Sequence, residues 1–118
     1  MAVLDIKDFS SPKEVRRPKG VTVEVVDVGG GEVGRYTFEP GWQWSECIKP
    51  VVGTDSCQVE HVGYVVSGAL RIQHEDGSTG DLTPGTVYRI APGHDAWVLG
   101  DEPTVVVEFQ GAAVYAKP

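Results

Sequence analysis

The stretch that decides the fold is HVGYVVSGALRIQHEDGSTGDLTPGTVYRIAPGH, from His61 to His94. Short runs rich in Val, Tyr and Ile alternate in it with turn sequences. These turns are Ser67-Gly68, Asp76-Gly77, Pro84-Gly85 and Pro92-Gly93. Valine, isoleucine and tyrosine favour strands, and glycine supplies the positive φ angles that tight hairpins need. The stretch therefore predicts a series of short antiparallel strands.

The same pattern continues on both sides of this stretch, and helical periodicity is nearly absent. The predicted strands are Val21–Val28, Val33–Phe38, Trp42–Ile48, Cys57–Val66, Ala69–His74, Ser78–Leu82, Thr86–Ile90, Ala96–Leu99 and Thr104–Gln110. Many short strands close best as a barrel or a two-sheet roll, since closure removes exposed sheet edges. A chain of 118 residues has room for one core. We therefore expect a single all-β domain at 21–118, preceded by an arm at 1–20.

Composition excludes several classes of partner. Seventeen acidic and ten basic residues give a formal charge of -7, which repels phosphate backbones and anionic lipid headgroups. The basic stretch Lys13–Lys19 is interrupted by Glu14 and Pro18, and we interpret it as a solvated linker. We therefore expect neither a nucleic acid nor a membrane as a partner.

The sequence also predicts where the protein is located and whether its cysteines are oxidised. No apolar run approaches the roughly 20 residues that span a bilayer. Met1–Ser10 carries charges among its apolar residues, unlike a secretory signal. We expect a cytoplasmic protein whose two cysteines are thiols.

The glycine frame resembles a known family. Gly41 opens a predicted strand, Gly68 follows His61 after six residues, and Gly93 follows Gly85 after seven. This spacing resembles the cupin family over about 33–109, and the phrase from Gly63 to Gly68 is its most distinctive part. The resemblance implies an antiparallel double-stranded β-helix, the cupin jelly-roll barrel. It also implies a homodimer, formed through the outer sheet or by exchange of an N-terminal strand such as Val3–Ile6.

The ligand positions of the family motif carry different residues here. With Gly68 as the closing glycine, His61 stands at the family's glutamate. Counting from Gly41 places Cys47 and Lys49 at the two histidines, whereas counting back from His61 places Asp55 and Cys57 there. Both registers stay open. In the second motif Ala96 replaces the metal-binding histidine, and His94 lies two residues earlier.

Four residues are candidates for one interior site. Residues two or four apart on a strand share a face, so Cys57, His61 and His94 can converge, and Cys47 can join them. Thiolates and imidazoles suit tetrahedral zinc, with iron, manganese and nickel as alternative metals. A pocket without metal, in which an imidazole works as acid, base or anchor, is the alternative. The predicted pocket walls are Trp42, Trp44, Trp97 and Val65.

Three functions are compatible with such a pocket. The first is a small-molecule-binding cupin of unknown ligand, with its pocket at the barrel centre and either with or without a divalent metal there. The second is a metal-dependent cupin enzyme, of isomerase or oxygenase type, that acts on a small organic substrate. The third is a regulatory or assembly module without enzymatic activity. A shared fold does not choose among them, because function resides in the site.

Overall fold

The computed structural model describes residues 4–112 and 115–117, and in these ranges nine strands form two antiparallel sheets. The strands are β1 (Glu14–Arg16), β2 (Val21–Val28), β3 (Gly31–Phe38), β4 (His61–Ser67), β5 (Leu70–His74), β6 (Thr79–Leu82), β7 (Val87–Ile90), β8 (His94–Val98) and β9 (Thr104–Gln110). Two short helices, α1 (Trp44–Cys47) and α2 (Lys49–Val52), lie between β3 and β4. The all-β prediction is confirmed.

The two sheets have unequal size. The larger has the order β1-β2-β3-β9-β4-β7 and the smaller has the order β6-β5-β8. Burial alternates along β2, where Val21, Val23 and Val25 point inward, and along β9, where Val106 does. This period of two gives each strand one buried face, and these faces enclose one core.

The predicted strand Trp42–Ile48 is wrong, because this segment forms α1. Trp44, Cys47 and Ile48 are buried at the i, i+3, i+4 spacing of a helix face. The Asp95 carboxylate on β8 accepts a hydrogen bond from the Ser45 backbone N–H at 3.0 Å, which satisfies a donor at the helix start. A capping partner 50 residues away is a tertiary feature that the local sequence does not reveal.

The predicted solvated linker is also wrong in part. Residues 14–16 form β1, which pairs with β2 at the edge of the larger sheet. The Arg16 guanidinium donates to the backbone carbonyls of Tyr115 at 2.5 Å and Ala112 at 2.6 Å. This part of the arm therefore fastens the end of the chain to the barrel.

The features predicted for the N-terminus fall partly outside the described ranges. Val3 lies outside them, and Leu4 and Ile6 are exposed and in no strand. The homodimer therefore remains a prediction. Among the described residues, no helix is long and apolar enough to cross a membrane.

Gly68 occupies the turn between β4 and β5 and is required there by both conformation and space. Its φ angle is +75°, and an added Cβ would lie 2.5 Å from the carbonyl oxygen of Pro103 and from Oγ1 of Thr104. Only glycine allows this close approach without strain. The turn follows directly on β4, which begins at His61.

Candidate metal centre

Cys57 is held inside the barrel by backbone pairing with β8. Its N–H donates to the carbonyl of His94 at 2.7 Å, and its own carbonyl accepts from the N–H of Gly93 at 2.7 Å. The segment before β4 is therefore tied to the start of β8. This pairing brings the Cys57 thiol and the His94 imidazole to one point.

His61 reaches the same point from the first residue of β4, where it pairs with Ile90 of β7. Its Nε2 lies 3.6 Å from Sγ of Cys57, and its Nδ1 lies 2.6 Å from Oε1 of Glu108. A carboxylate accepts, so the proton of a neutral His61 ring is on Nδ1. The lone pair of Nε2 is then directed at the thiol side.

His94 has the same division of roles between its two nitrogens. Its Nδ1 lies 2.8 Å from the carbonyl oxygen of Ala91, which can only accept a hydrogen bond. The neutral ring therefore carries its proton on Nδ1 and leaves Nε2 as a ligand atom. The His61 and His94 rings meet edge to face, with their centroids 5.3 Å apart.

Together these three residues form a group that fits a metal ion. One potential ligand atom from each of Cys57, His61 and His94 lies within 4.8 Å of the other two, and all three side chains are buried. In tetrahedral zinc, bonds of about 2.3 Å to sulfur and about 2.05 Å to nitrogen place these two ligand atoms about 3.6 Å apart. The observed distance from Sγ of Cys57 to Nε2 of His61 is 3.6 Å, which is the edge of such a tetrahedron.

Glu108 is a functional residue that the sequence analysis did not find. Its carboxylate is buried and accepts from His61 Nδ1 at 2.6 Å and from the Tyr88 hydroxyl at 2.6 Å. A carboxylate that holds the far nitrogen of a histidine is the usual partner of a metal-bound imidazole. The signal that could have revealed it is the alternation of β9, because Thr104, Val106 and Glu108 share the inward face.

The charges in the group depend on one another. Burial alone raises the pKa of the Cys57 thiol, but hydrogen bonds with His61 and His94 outweigh it and lower the pKa from 9.0 to about 6. Burial also disfavours the His61 imidazolium, yet the charge of Glu108 and hydrogen bonds with Cys57 and Glu108 raise the pKa of His61 above its ordinary value. Without a metal, the pair at neutral pH is a thiolate beside an imidazolium.

Known structures share this architecture. No protein-family model and no curated protein matches the sequence. Ectoine synthase from P. lautus superposes with a TM-score of 0.65 at 14% identity, over 92% of this chain and 81% of that one. A cupin-like protein from Thermotoga maritima gives 0.54 at 22% identity, over 83% and 72% of the two chains. This domain has the cupin fold.

A third similar structure is that of a metal-containing enzyme. Oxalate decarboxylase from Bacillus subtilis, described with Mn(II) centres, gives a TM-score of 0.56 at 23% identity, over 84% of this chain and 28% of that one. Identities this low show the fold alone. The chemistry of this chain must therefore be argued from its own residues.

The structure distinguishes the two possible registers of the first cupin motif. Cys57 lies in the three-residue group, whereas Asp55 is fully exposed. Cys47 is a buried free thiol on α1 and is not in the group. The alternative register, counted from Gly41, therefore brings neither Cys47 nor Lys49 to the metal group. In the second motif, Ala96 is buried and lines the barrel interior.

Of the four residues predicted to line the pocket, two do so and two do not. Trp42 and Trp44 line a small interior cavity beside the metal group, although they do so from a loop and α1 rather than from one strand. Val65 is buried in the core but does not line this cavity. Trp97 is half-buried on the opposite face of β8 from His94, Ala96 and Val98 and does not line it either.

Two cavities adjoin the group. The interior one, which we call the inner cavity, has a volume of about 30 Å³ and is lined by Cys57, His61 and His94 among others. That is about the share of one water molecule in the liquid. A second, which we call the outer cavity, has a volume of about 180 Å³ and lies between α2, the segment before β4 and residues 115–117. Trp44, Cys57 and Tyr115 line both cavities.

Proposed function

We propose that this cupin binds a divalent metal, zinc in the first place, through Cys57 Sγ, His61 Nε2 and His94 Nε2. The observation that carries the proposal is the orientation of the two imidazoles. Each Nδ1 is engaged by an acceptor, Glu108 Oε1 or the Ala91 carbonyl, so that both Nε2 atoms are free to coordinate. Oriented histidines of this kind are typical of metal sites.

The number of ligands supports a role in binding or reaction rather than in folding alone. Structural zinc sites have four protein ligands, whereas sites that bind substrate have three and keep one position open. Among the described residues, the group of Cys57, His61 and His94 supplies three ligand atoms. A metal held there acts as a Lewis acid on an oxygen atom placed at the open position.

The chain's own residues then have distinct tasks. Cys57 supplies the anionic ligand, and in the metal-free site its hydrogen bonds with the two imidazoles already lower the pKa of its thiol. Glu108 fixes the ring of His61 and keeps its proton on Nδ1. The inner cavity beside the group is small, with a volume of about 30 Å³, which limits the number of water molecules at the site. We therefore propose a metal-dependent site for a small organic molecule that presents an oxygen atom.

A second candidate function is favoured by the same contacts. Cys57, His61 and Glu108 form a thiol–imidazole–carboxylate relay, with distances of 3.6 Å and 2.6 Å. This is the order of groups that activates a cysteine nucleophile. In the absence of metal, Cys57 would act as that nucleophile. The metal site remains the better proposal, because it also accounts for the orientation of His94, whose Nδ1 is engaged by the Ala91 carbonyl so that Nε2 faces the group.

Metal analysis separates the two candidates. We expect protein purified from zinc-supplemented medium to contain about one equivalent of zinc, and Cys57→Ser, His61→Ala and His94→Ala to lose most of it. Cys47→Ser is the matched control, because Cys47 is the other buried free thiol and lies outside the group. Wild-type protein with less than about a tenth of an equivalent, after reconstitution with zinc, would contradict the metal site.

A further inference from the structure

Tyr115 stands at the boundary between the two cavities. Its side chain is 3% exposed and lines both of them. Its ring packs edge to face on His61, with a centroid distance of 5.6 Å, and lies 5.0 Å from the ring of Tyr36. The residue therefore contacts the metal group from the side on which the outer cavity lies.

The Tyr115 hydroxyl has no hydrogen-bond partner among the residues that the structure describes. An unsatisfied buried hydroxyl is destabilising, because it loses its hydrogen bonds with water, and such groups in native proteins need an explanation. A phenol hydroxyl is protonated at neutral pH and can donate a hydrogen bond to an acceptor.

Trp42 also lines the inner cavity, and its Nε1 is a second hydrogen-bond donor without a partner among the described residues. A ligand atom that enters this space meets hydrogen-bond donors and the proposed metal. The donors and the metal both favour a ligand oxygen with free lone pairs. They disfavour a ligand that presents an ammonium group or an amide N–H.

The outer cavity sets the size and polarity of the rest of the ligand. Its volume of about 180 Å³ slightly exceeds the roughly 150 Å³ of a cavity that binds benzene. Its walls are mostly apolar and include Ile48, Val52 and Val59. Lys117 is the one charged residue among the described residues that line it.

We propose that the outer cavity binds a small, largely apolar carboxylate or carbonyl compound, whose oxygen atom accepts a hydrogen bond from the Tyr115 hydroxyl at the metal. This inference rests on the proposed metal site and names the class of its ligand. The ligand has the size of one aromatic ring with a short polar group. Its apolar part lies against Ile48, Val52 and Val59, and its oxygen reaches past Trp44 and Cys57.

Benzoate is a suitable probe, with benzylamine as its comparison, because both carry the same ring and only benzoate offers acceptor oxygens. We expect zinc-loaded wild-type protein to bind benzoate in calorimetry and to bind benzylamine at least tenfold more weakly. Tyr115→Phe should weaken benzoate binding about tenfold or more and leave the zinc content unchanged, as expected for loss of one hydrogen bond to a charged group. Tyr64→Phe is the matched control, since Tyr64 is exposed on the outer face of β4.

A second variant covers the case in which Tyr115→Phe does not fold. Val52 is half-buried at the wall of the outer cavity, and Val52→Trp should fill the cavity and abolish benzoate binding with zinc retained. The inference is overturned if zinc-loaded wild type does not bind benzoate, or if a folded, zinc-loaded variant at either position binds it as wild type does. A wild type without zinc overturns the proposed metal site itself, and the zinc content of the same samples identifies that case.

Discussion

Nδ1 of His61 lies 2.6 Å from Oε1 of Glu108, and both side chains are almost fully buried. A buried charge is costly unless it is paired and hydrogen-bonded. Glu108 meets this condition, since His61 and Tyr88 each engage one of its oxygens. The pair links the β9 strand of the larger sheet to the metal group.

Replacing Glu108 should weaken metal binding although Glu108 is not itself a ligand. We expect Glu108→Gln to lower zinc affinity roughly 10- to 100-fold, because the negative charge on the acceptor of His61 is lost and the one remaining oxygen cannot accept from both His61 and Tyr88. Competition with a chromophoric chelator measures the change. Glu60→Gln is the control, as Glu60 pairs with the exposed Arg89 at the surface. Equal affinity of Glu108→Gln and wild type would show that the pair does not position His61 for a metal.

Metal binding should release a proton, and the sign of its pH dependence follows from the two shifted groups. At pH 8 Cys57 is already a thiolate, because its pKa is lowered to about 6, whereas His61, whose pKa is raised, still holds a proton. Zinc must displace that proton, so affinity should fall by about tenfold when the pH is lowered from 8 to 7. Calorimetry in buffers of different ionisation enthalpy should give about one proton released at pH 8. Release of none would contradict the charged state assigned to His61.

Arg16 should stabilise the end of the chain over the outer cavity. Its guanidinium, whose side chain is 10% exposed, donates to the carbonyls of Ala112 and Tyr115. Loss of two charge-assisted hydrogen bonds in Arg16→Ala should lower the free energy of unfolding by about 2–3 kcal/mol. Urea denaturation measures it. Arg71→Ala removes only an exposed pair with Asp81 and should change little, so equal effects of the two variants would contradict the role of Arg16.

Gly68 offers a test of the turn that follows β4. Gly68→Ala adds both a left-handed backbone strain and a clash with Pro103 and Thr104. Gly77→Ala adds only the strain, as its φ is +89° and nothing lies within 4 Å of its added Cβ. We expect Gly77→Ala to cost about 1 kcal/mol in thermal or urea unfolding, and Gly68→Ala to cost at least twice as much. Equal costs would mean that the close approach at Gly68 is relaxed without penalty.

Most of the strand pattern could be predicted from local sequence. The strands Val21–Val28 and Thr104–Gln110 were predicted with the bounds they have, because turn residues and alternation of buried side chains mark them. The helix in the segment Trp42–Ile48 was not predicted. A partner of its first turn is the carboxylate of Asp95, which lies on a distant strand. The edge strand β1 likewise depends on pairing with β2, and its polar sequence is that of a linker.

The candidate site was predictable in part. The spacing of His61, Gly68 and Gly93 indicated that Cys57, His61 and His94 could converge, and the structure brings them together. Spacing alone could not separate Cys47 from Cys57, since that depends on the path of the chain through α1 and α2. Glu108 was missed because it is distant in sequence and becomes a partner of His61 only when β9 pairs with β4. Trp97 was expected in the pocket, but the register of β8 turns it to the other face.

Anomalous X-ray scattering from crystals of the zinc-loaded protein tests the central proposal most directly. One peak at the zinc absorption edge is expected inside the barrel, about 2.3 Å from Sγ of Cys57 and about 2.0–2.1 Å from Nε2 of His61 and of His94. Glu108 should remain on Nδ1 of His61 without touching the metal. Zinc bound elsewhere, with the barrel interior free of anomalous density, would contradict the proposed centre.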